Sequence, residues 1–460
     1  MEKYLRHYAE PEIAALDGLP GAMSWQNVLV IPACDETPAF LRPPPACDGR
    51  SLMILVINEP VTAHGKVSLN NRALAAEVQA RFTLLWQSAS DTGLSLWRDP
   101  FAQRDVLLVD RFSAGRQLPV KGGVGHARKI GVDLAVSLIH SRHIQSGWIH
   151  CSDADVQLPG NYFTRLQGND SKHAALIYPF SHCDHQEEGE SAEVILATQL
   201  YELSLRYYVT GMNFAGSPYA FHTIGSTMAV SPIHYAKVRG FPKREAGEDF
   251  YLLNKLAKVG AVRELDSKGA DDVIIIESRR SDRVPFGTGA AVNKITGLAD
   301  PVSDYRFYDP EVFELLKLWL QSLPAVWQSG SSQLAAGVSE DGSGNQAQLE
   351  KRQALLHCLK QLKTEQAIEH DFRQSKGLEQ FTRQLHTWFD AFRTLKLIHG
   401  LRDVCLPTIS FNRLESSPVF QHFLATDPDL LAFYQQLQKN LAVDPADKVK
   451  HTERGSGSTD

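Results

Sequence analysis

Four short apolar runs, Val28 to Ile31, Leu52 to Ile57, Val106 to Val109 and Trp148 to Cys151, are bounded by turn residues and leave room for helices between them. Strands that alternate with helices pair side by side in one direction, so the pattern predicts an α/β unit with a mostly parallel sheet. The best-defined helix follows Gly125. Ala127, Ile130, Gly131, Leu134, Ala135 and Leu138 fall at the three- and four-residue spacing of one buried face, with Arg128, Lys129, Asp133 and Ser137 expected elsewhere on its surface. Ligands of such sheets gather where the strands end at their carboxyl edge, so residues just beyond these runs are the first place to look for chemistry.

At 460 residues the chain exceeds one ordinary core. Near Trp327 the segment QSGSSQLAAGVSEDGSGNQAQ has the Gly, Ser and Gln content of a flexible connection, and beyond it Leu355, Leu356, Leu359, Leu362, Phe381, Leu385, Trp388, Phe389 and Phe392 recur at helical spacing. The expected organisation is an N-terminal extension over 1–26, an α/β domain over 27–300, a helical extension over 301–326, a linker or loop over 327–348, a helical accessory region over 349–442 and a disordered tail over 443–460. Lys plus Arg number 47 against 53 Asp plus Glu, a net charge of -6, so no global positive field exists to hold nucleic acid. The six cysteines are dispersed without C-x-x-C pairs, which fits reduced thiols in a cytoplasmic protein. No stretch reaches the ~20 apolar residues of a membrane span.

Two acidic motifs stand out. In GWIHCSDADVQLPGNYF, Asp153 and Asp155 follow an apolar strand directly. Paired carboxylates at a strand end suit Mn²⁺ or Mg²⁺, which take oxygen ligands and leave positions for phosphate oxygens, although carboxylates in turns also serve as helix caps or lie solvated. Downstream, Glu248 and Asp249 begin a helix whose Asp249, Leu252, Leu253 and Leu256 spacing holds the pair at its N-terminal end. A carboxylate there is stabilised by the helix dipole and can accept a proton from a hydroxyl, or can simply cap the helix.

The order of segments resembles the inverting family-two glycosyltransferases. Their pattern V-I-P-x-x-x-E is matched by VLVIPACDE with Pro32 and Glu36, and G-x-x-x-A-R-N-x-G by Gly123, Ala127, Arg128 and Gly131, with Lys129 in place of Asn. The DAD and GED motifs follow in the family's order, and the likeness spans about Asn27 to Gly260. It implies a GT-A, nucleotide-diphospho-sugar transferase-like fold: a mixed, mostly parallel sheet flanked by helices, here with a C-terminal helical accessory region. It also implies a metal-dependent, hexosyltransferase-like transfer of sugar from a nucleoside-diphosphate-sugar donor to a hydroxyl acceptor.

Carried over residue by residue, the resemblance implies that Pro32, Ala33, Asp35 and Glu36 line the nucleotide base and that Arg128 lies near the nucleotide. Asp153 would approach the ribose or the metal, Asp155 would ligate the metal, and Asp249 would be the general base with Glu248 beside it. The second strand departs from the family, offering Asn58 and Glu59 where an Asp pair is usual. Read from the residues themselves, Arg128 is equally a surface helix arginine.

In ESRRSDRVPFGTG, Arg279, Arg280 and Arg283 stand near Gly287, Thr288 and Gly289, a combination able to close over a diphosphate as a lid. Only Glu277 and Asp282 are evident as local carboxylate partners. His182, Cys183, Asp184 and His185 lack the spacing of a zinc site and read as a solvated or acceptor-binding loop. His222 faces the acceptor or is a core histidine. A sugar nucleotidyltransferase is disfavoured because VIPACDETPAF lacks the Gly-rich loop ending in Arg and Lys. A non-catalytic nucleotide-sugar-binding or scaffold protein, with the C-terminal helices as its partner surface, is the other alternative.

Overall fold

All four apolar runs form strands: β1 (Asn27–Ala33), β2 (Ser51–Asn58), β5 (Arg104–Arg111) and β6 (Ile149–Cys151). The computed structural model describes residues 1–42, 45, 48–63, 65–89, 92–168, 172–182, 191–267, 269–281, 287–329 and 346–442. With β3 (Thr83–Gln87), β4 (Leu94–Arg98), β8 (His173–Ile177), β10 (Met228–Val230) and β11 (Ala261–Glu264), they build a nine-stranded sheet in the order β11-β8-β10-β6-β1-β2-β5-β4-β3. β4 and β10 run against their neighbours, and the others share one direction. β7 (Val156–Gln157), β9 (Phe180–His182) and β12 (Ile274–Ile276) form a second, three-stranded sheet in the order β7-β12-β9.

β1 and β2 are buried on both faces, which explains their unbroken apolar character. On one face Leu29, Ile31, Met53 and Leu55 join Leu74 and Val78 of α2 (Lys66–Arg81), together with Tyr162 and Phe163. The first helix of the chain, α1 (Glu2–His7), lies ahead of β1. On the other face lies α3 (Gly123–His140), and Gly131 sets how closely it approaches: a Cβ there would stand 2.4 Å from Val30 Cγ1 and 3.2 Å from Val56 Cγ2.

The polar residues of α3 are not on its surface as the periodicity predicts. Arg128, Lys129 and Asp133 are 3%, 5% and 0% exposed, and Ser137 is half-buried. Asp133 accepts from Tyr4 Oη (2.5 Å), Tyr235 Oη (3.1 Å), the Glu10 backbone N–H (2.8 Å) and Lys129 Nζ (2.8 Å). Glu10 also accepts from Lys243 Nζ and lies 3.0 Å from His126 Nε2. Buried charges are tolerated here because each has partners, supplied by segments remote in sequence.

Packing divides the chain into two units, Met1–Ile195 with Phe221–Asn293, and Leu196–Ala220 with Lys294–Asp460. This differs from a 27–300 core. The first residues belong to the first unit through Tyr4 and Glu10, whereas α4 (Ala192–Phe214) gives most of its length to the second. There Tyr207 packs edge-on against Phe313 and Phe420.

The second unit is helical, with helices at Glu311–Gln321, Gln346–Gln361, Leu378–Trp388, Ala391–Val404 and Pro418–Thr426, among others. Leu355, Leu359, Phe381, Leu385 and Phe389 enter its core as their spacing suggests. Phe392 does not, being 36% exposed with Lys396 Nζ over its ring. Trp327, at the start of the expected linker, is helical and packs against Phe372 and Phe381, while 330–345 and the expected tail 443–460 lie outside the described residues. Among the described residues, no helix is long and apolar enough to cross a membrane.

Candidate active site

Because β1, β2 and β6 run in parallel, the segments that follow them emerge at one edge of the sheet. Pro32 and Ala33 are the buried end of β1, and Cys34 to Glu36 make the turn beyond it. Asp35 adopts φ 57°, a left-handed conformation that Asp tolerates better than most residues. Two asparagines of α2 hold it: Asn71 Oδ1 accepts the Asp35 N–H (3.0 Å) and Asn70 Nδ2 donates to Asp35 Oδ1 (2.7 Å). Asn71 Nδ2 also donates to Asn58 O and to Glu59 Oε2. Asn58 turns its own Nδ2 back to Ala33 O (3.1 Å) and Val56 O (3.3 Å), so that amide shapes the β1 turn.

The sequence reading missed Asn70 and Asn71. The available signal was the adjacent Asn pair in a helix, where asparagine is a poor former and needs another reason to be present.

Arg128 joins the two acidic motifs. Its Nε donates to Glu248 Oε1 (2.8 Å), its Nη2 to Asp153 Oδ1 (2.5 Å) and its Nη1 to the Ser152 carbonyl (3.3 Å). The surface-arginine reading therefore fails. Glycine at 225 makes room, since a Cβ there would lie 2.6 Å from Arg128 Nη2. Burial opposes the Arg128 charge, but Asp153 and Glu248 outweigh it and hold the guanidinium firmly protonated.

Glu248 and Asp249 open α6 (Glu248–Leu256), which follows the short α5 (Pro232–Lys237). Glu248 is buried and committed to Arg128, whereas Asp249 is only half-buried and accepts the Phe250 N–H (2.6 Å). Burial, then the neighbouring Glu248 charge, push the Asp249 carboxyl up to about 7, with the Phe250 N–H opposing them. Asp153 is pushed up to about 6, by burial first; Arg128 pulls it down, and Asp155 and Glu248 push it up. The site thus holds one carboxyl whose affinity for protons suits a base at neutral pH.

Asp155 lies on the far side of the DAD turn. The β12–β7 pairing sets Ile276 opposite Val156, and the Glu277 N–H donates to the Asp155 carbonyl (3.0 Å). That ladder delivers Arg279 to the turn, where its Nη2 is 2.5 Å from Asp155 Oδ2 and 2.8 Å from Glu36 Oε1. Its Nη1 donates to Glu36 Oε2 (3.1 Å). Local sequence suggested only Glu277 and Asp282 as partners, but the fold provides Glu36 and Asp155 from distant segments. Arg280 forms a long, exposed pair with Glu193 (3.9 Å), and Arg283 lies outside the described residues.

The donors gathered by the DAD turn are carboxylate oxygens, the chemistry Mn²⁺ or Mg²⁺ prefers. Among the described residues, no group of three or more His, Cys, Asp and Glu is arranged to hold a metal. One or two carboxylates, completed by phosphate oxygens and water, is the arrangement these ions commonly accept. The residues present fit such an ion.

His222 stands at the same sheet edge, its Nδ1 2.7 Å from Glu264 Oε1 at the end of β11, with Phe180 against its ring. His182 is buried in β9, and Cys183, Asp184 and His185 lie outside the described residues. Cys151, Cys358 and Cys405 are free thiols.

No protein-family model matches the chain, and no curated protein matches its sequence. Among solved structures, S. aureus TarS 1-349 in complex with UDP-GlcNAc is 9% identical, with 76% of this chain and 92% of that chain covered and a TM-score of 0.36. The mannosyltransferase PcManGT from Pyrobaculum calidifontis, in complex with GDP-Man and Mn²⁺, is 11% identical, with 96% and 91% covered and a TM-score of 0.33. Likeness at this level is a loose overlap of chain path, and the functional reading rests on the chain's own residues.

Proposed function

We propose that the chain is a GT-A type, family-two-like inverting glycosyltransferase that moves a sugar from a nucleoside-diphosphate donor to a hydroxyl acceptor. The observation that carries this reading is Arg128, whose single guanidinium is hydrogen-bonded both to the DAD turn and to the GED helix. Donor-side and acceptor-side carboxylates thereby come within one side chain of each other, as a displacement at a sugar carbon between them requires. The β1 turn held by Asn70 and Asn71 is the proposed base-binding wall.

In this mechanism Asp249 takes the acceptor hydroxyl proton as that oxygen bonds to the anomeric carbon and the bond to the diphosphate oxygen breaks. Glu248 has a different task. By fixing Arg128 and raising the proton affinity of its neighbour, it tunes the base without touching the acceptor. Asp155, with Asp153 and Glu36 nearby, would hold the divalent cation. When bound, that ion supplies positive charge to stabilise the departing diphosphate.

The deciding experiment is a thermal-shift screen of UDP, GDP and their sugars with Mn²⁺, because a ligand bound only by the native state raises its stability. A rise for one nucleotide, lost in Asp155→Asn, is the expected result. No rise with any nucleoside diphosphate sugar would remove the proposed function.

A further inference from the structure

Arg279 occupies the place in which the proposed function puts a metal ion. Its guanidinium grips Glu36 with both terminal nitrogens and reaches Asp155 Oδ2 with one of them. The side chains of Glu36, Asp155 and Arg279 are 10%, 21% and 26% exposed, so water screens these charges less than at an open surface. Arg128, another guanidinium of the site, is built into the fold between two elements. Arg279 instead projects from the segment just after the short strand β12.

A second observation concerns the same side chain. Arg279 Nε is shut away from solvent and has no hydrogen-bond partner among the described residues. Buried guanidinium N–H groups are normally satisfied, and an orphaned one marks a pose that leaves a donor over. Phosphate oxygens are the partners a planar guanidinium takes most readily.

We propose that Arg279 is a resident counter-cation of the DAD site: it binds Glu36 and Asp155 together in the free protein, must yield Asp155 to an incoming divalent ion, and turns to the donor diphosphate when displaced. This rests on the assignment of Asp155 as the metal ligand. Metal and guanidinium then compete for one carboxylate, so the ion binds weakly by itself. A nucleoside diphosphate offers the guanidinium another partner, and metal and nucleotide reinforce each other's binding.

The test titrates Mn²⁺ into the full-length protein and follows free hexaaqua Mn²⁺ by electron paramagnetic resonance, alone and with saturating UDP or GDP. Arg279→Gln should bind Mn²⁺ alone about tenfold more tightly than the wild type, the scale expected for removing one partly buried competitor. Added nucleotide should tighten Mn²⁺ binding by a larger factor in the wild type than in this variant. Arg42→Gln is the control, because Arg42 lies in the field of Glu277 without an ion pair to Asp155.

Mn²⁺ affinity that is unchanged or weaker in Arg279→Gln, or raised equally by Arg42→Gln, overturns the proposal while leaving the metal assignment intact. Mn²⁺ binding indifferent to Asp155→Asn in both backgrounds sinks the assignment and the proposal with it. Should Arg279→Gln fail to fold, Arg279→Lys keeps the charge but loses the fork, and tightening by a smaller factor is expected. No tightening in that folded variant overturns the proposal.

Discussion

Arg128 and Lys129 are consecutive residues of α3, each buried and each paired with two acids, yet they belong to opposite kinds of cluster. Around Lys129, Asp133 receives four donors on its two oxygens, although burial still holds its carboxyl above the ordinary range, and Glu10 is pulled down to about 2 by His126 and Lys243 despite its burial. Around Arg128 the acids have fewer donors, Arg128 on Asp153 and the Phe250 N–H on Asp249, and they are pushed up to about 6 and about 7. The first cluster has been satisfied by folding. The second is left wanting protons or cations, which is what the proposed transfer to a hydroxyl requires.

The largest effect expected from breaking this contrast is catalytic. Asp249→Asn should lower turnover by ~10²–10⁴, the usual loss of general-base help, while calorimetry finds nucleotide affinity preserved. Normal turnover would require another base, and a collapse confined to Glu248→Gln would move it by one residue. Next in size is Lys129→Met. It leaves Asp133 and Glu10 without their buried cation, and chemical denaturation should show a loss of about 3–5 kcal/mol. Nucleotide binding by the folded fraction should be unchanged; parallel loss of binding would mean the two clusters are not separable.

A smaller effect is expected in the pH dependence of turnover. The rising limb should lie near pH 7, where Asp249 loses its proton, and Glu248→Gln should move it to lower pH by removing the like charge. A limb that stays in place would detach Glu248 from the base.

The smallest is in stability against pH, and its signs oppose. Glu10 has a depressed pKa, so its contribution is present above its unfolded value near 4.5 and is lost as pH falls toward 2. Asp153 and Asp249 have raised pKa values, so the native state holds protons that the unfolded chain has released, and stability falls as pH rises from about 4 to 7. In thermal melts, Glu10→Gln should flatten the acid limb and Asp249→Asn the neutral one. A swap of those two effects would invert the assignment of the clusters.

How far this could be read from sequence follows the reach of each signal. Strands β1, β2, β5 and β6 and the helix after Gly125 were legible because apolar spacing is local. The DAD and GED motifs were visible because each follows a recognisable strand or begins a helix. The burial of Lys129 and Asp133 was not, since Tyr4, Glu10 and Tyr235 come from segments before β1 and after β10. Arg279 is the same case, because only the β12–β7 ladder and the end of β1 bring it to Asp155 and Glu36. Asn71 was overlooked because its role is defined by backbone groups of the β1 turn and the end of β2.

Gly131 has a consequence for genetics. It lies three residues after Arg128, about 4.5 Å along the helix, and its missing side chain lets α3 rest on Val30 and Val56. A larger residue would collide with both valines, and the expected relief is a lift of the helix from the sheet that carries the guanidinium away from Asp153 and Glu248. A selection for inactive alleles should therefore recover Gly131 beside the acidic residues, although it touches no ligand, and second-site revertants should cluster at Val30 and Val56 as smaller side chains.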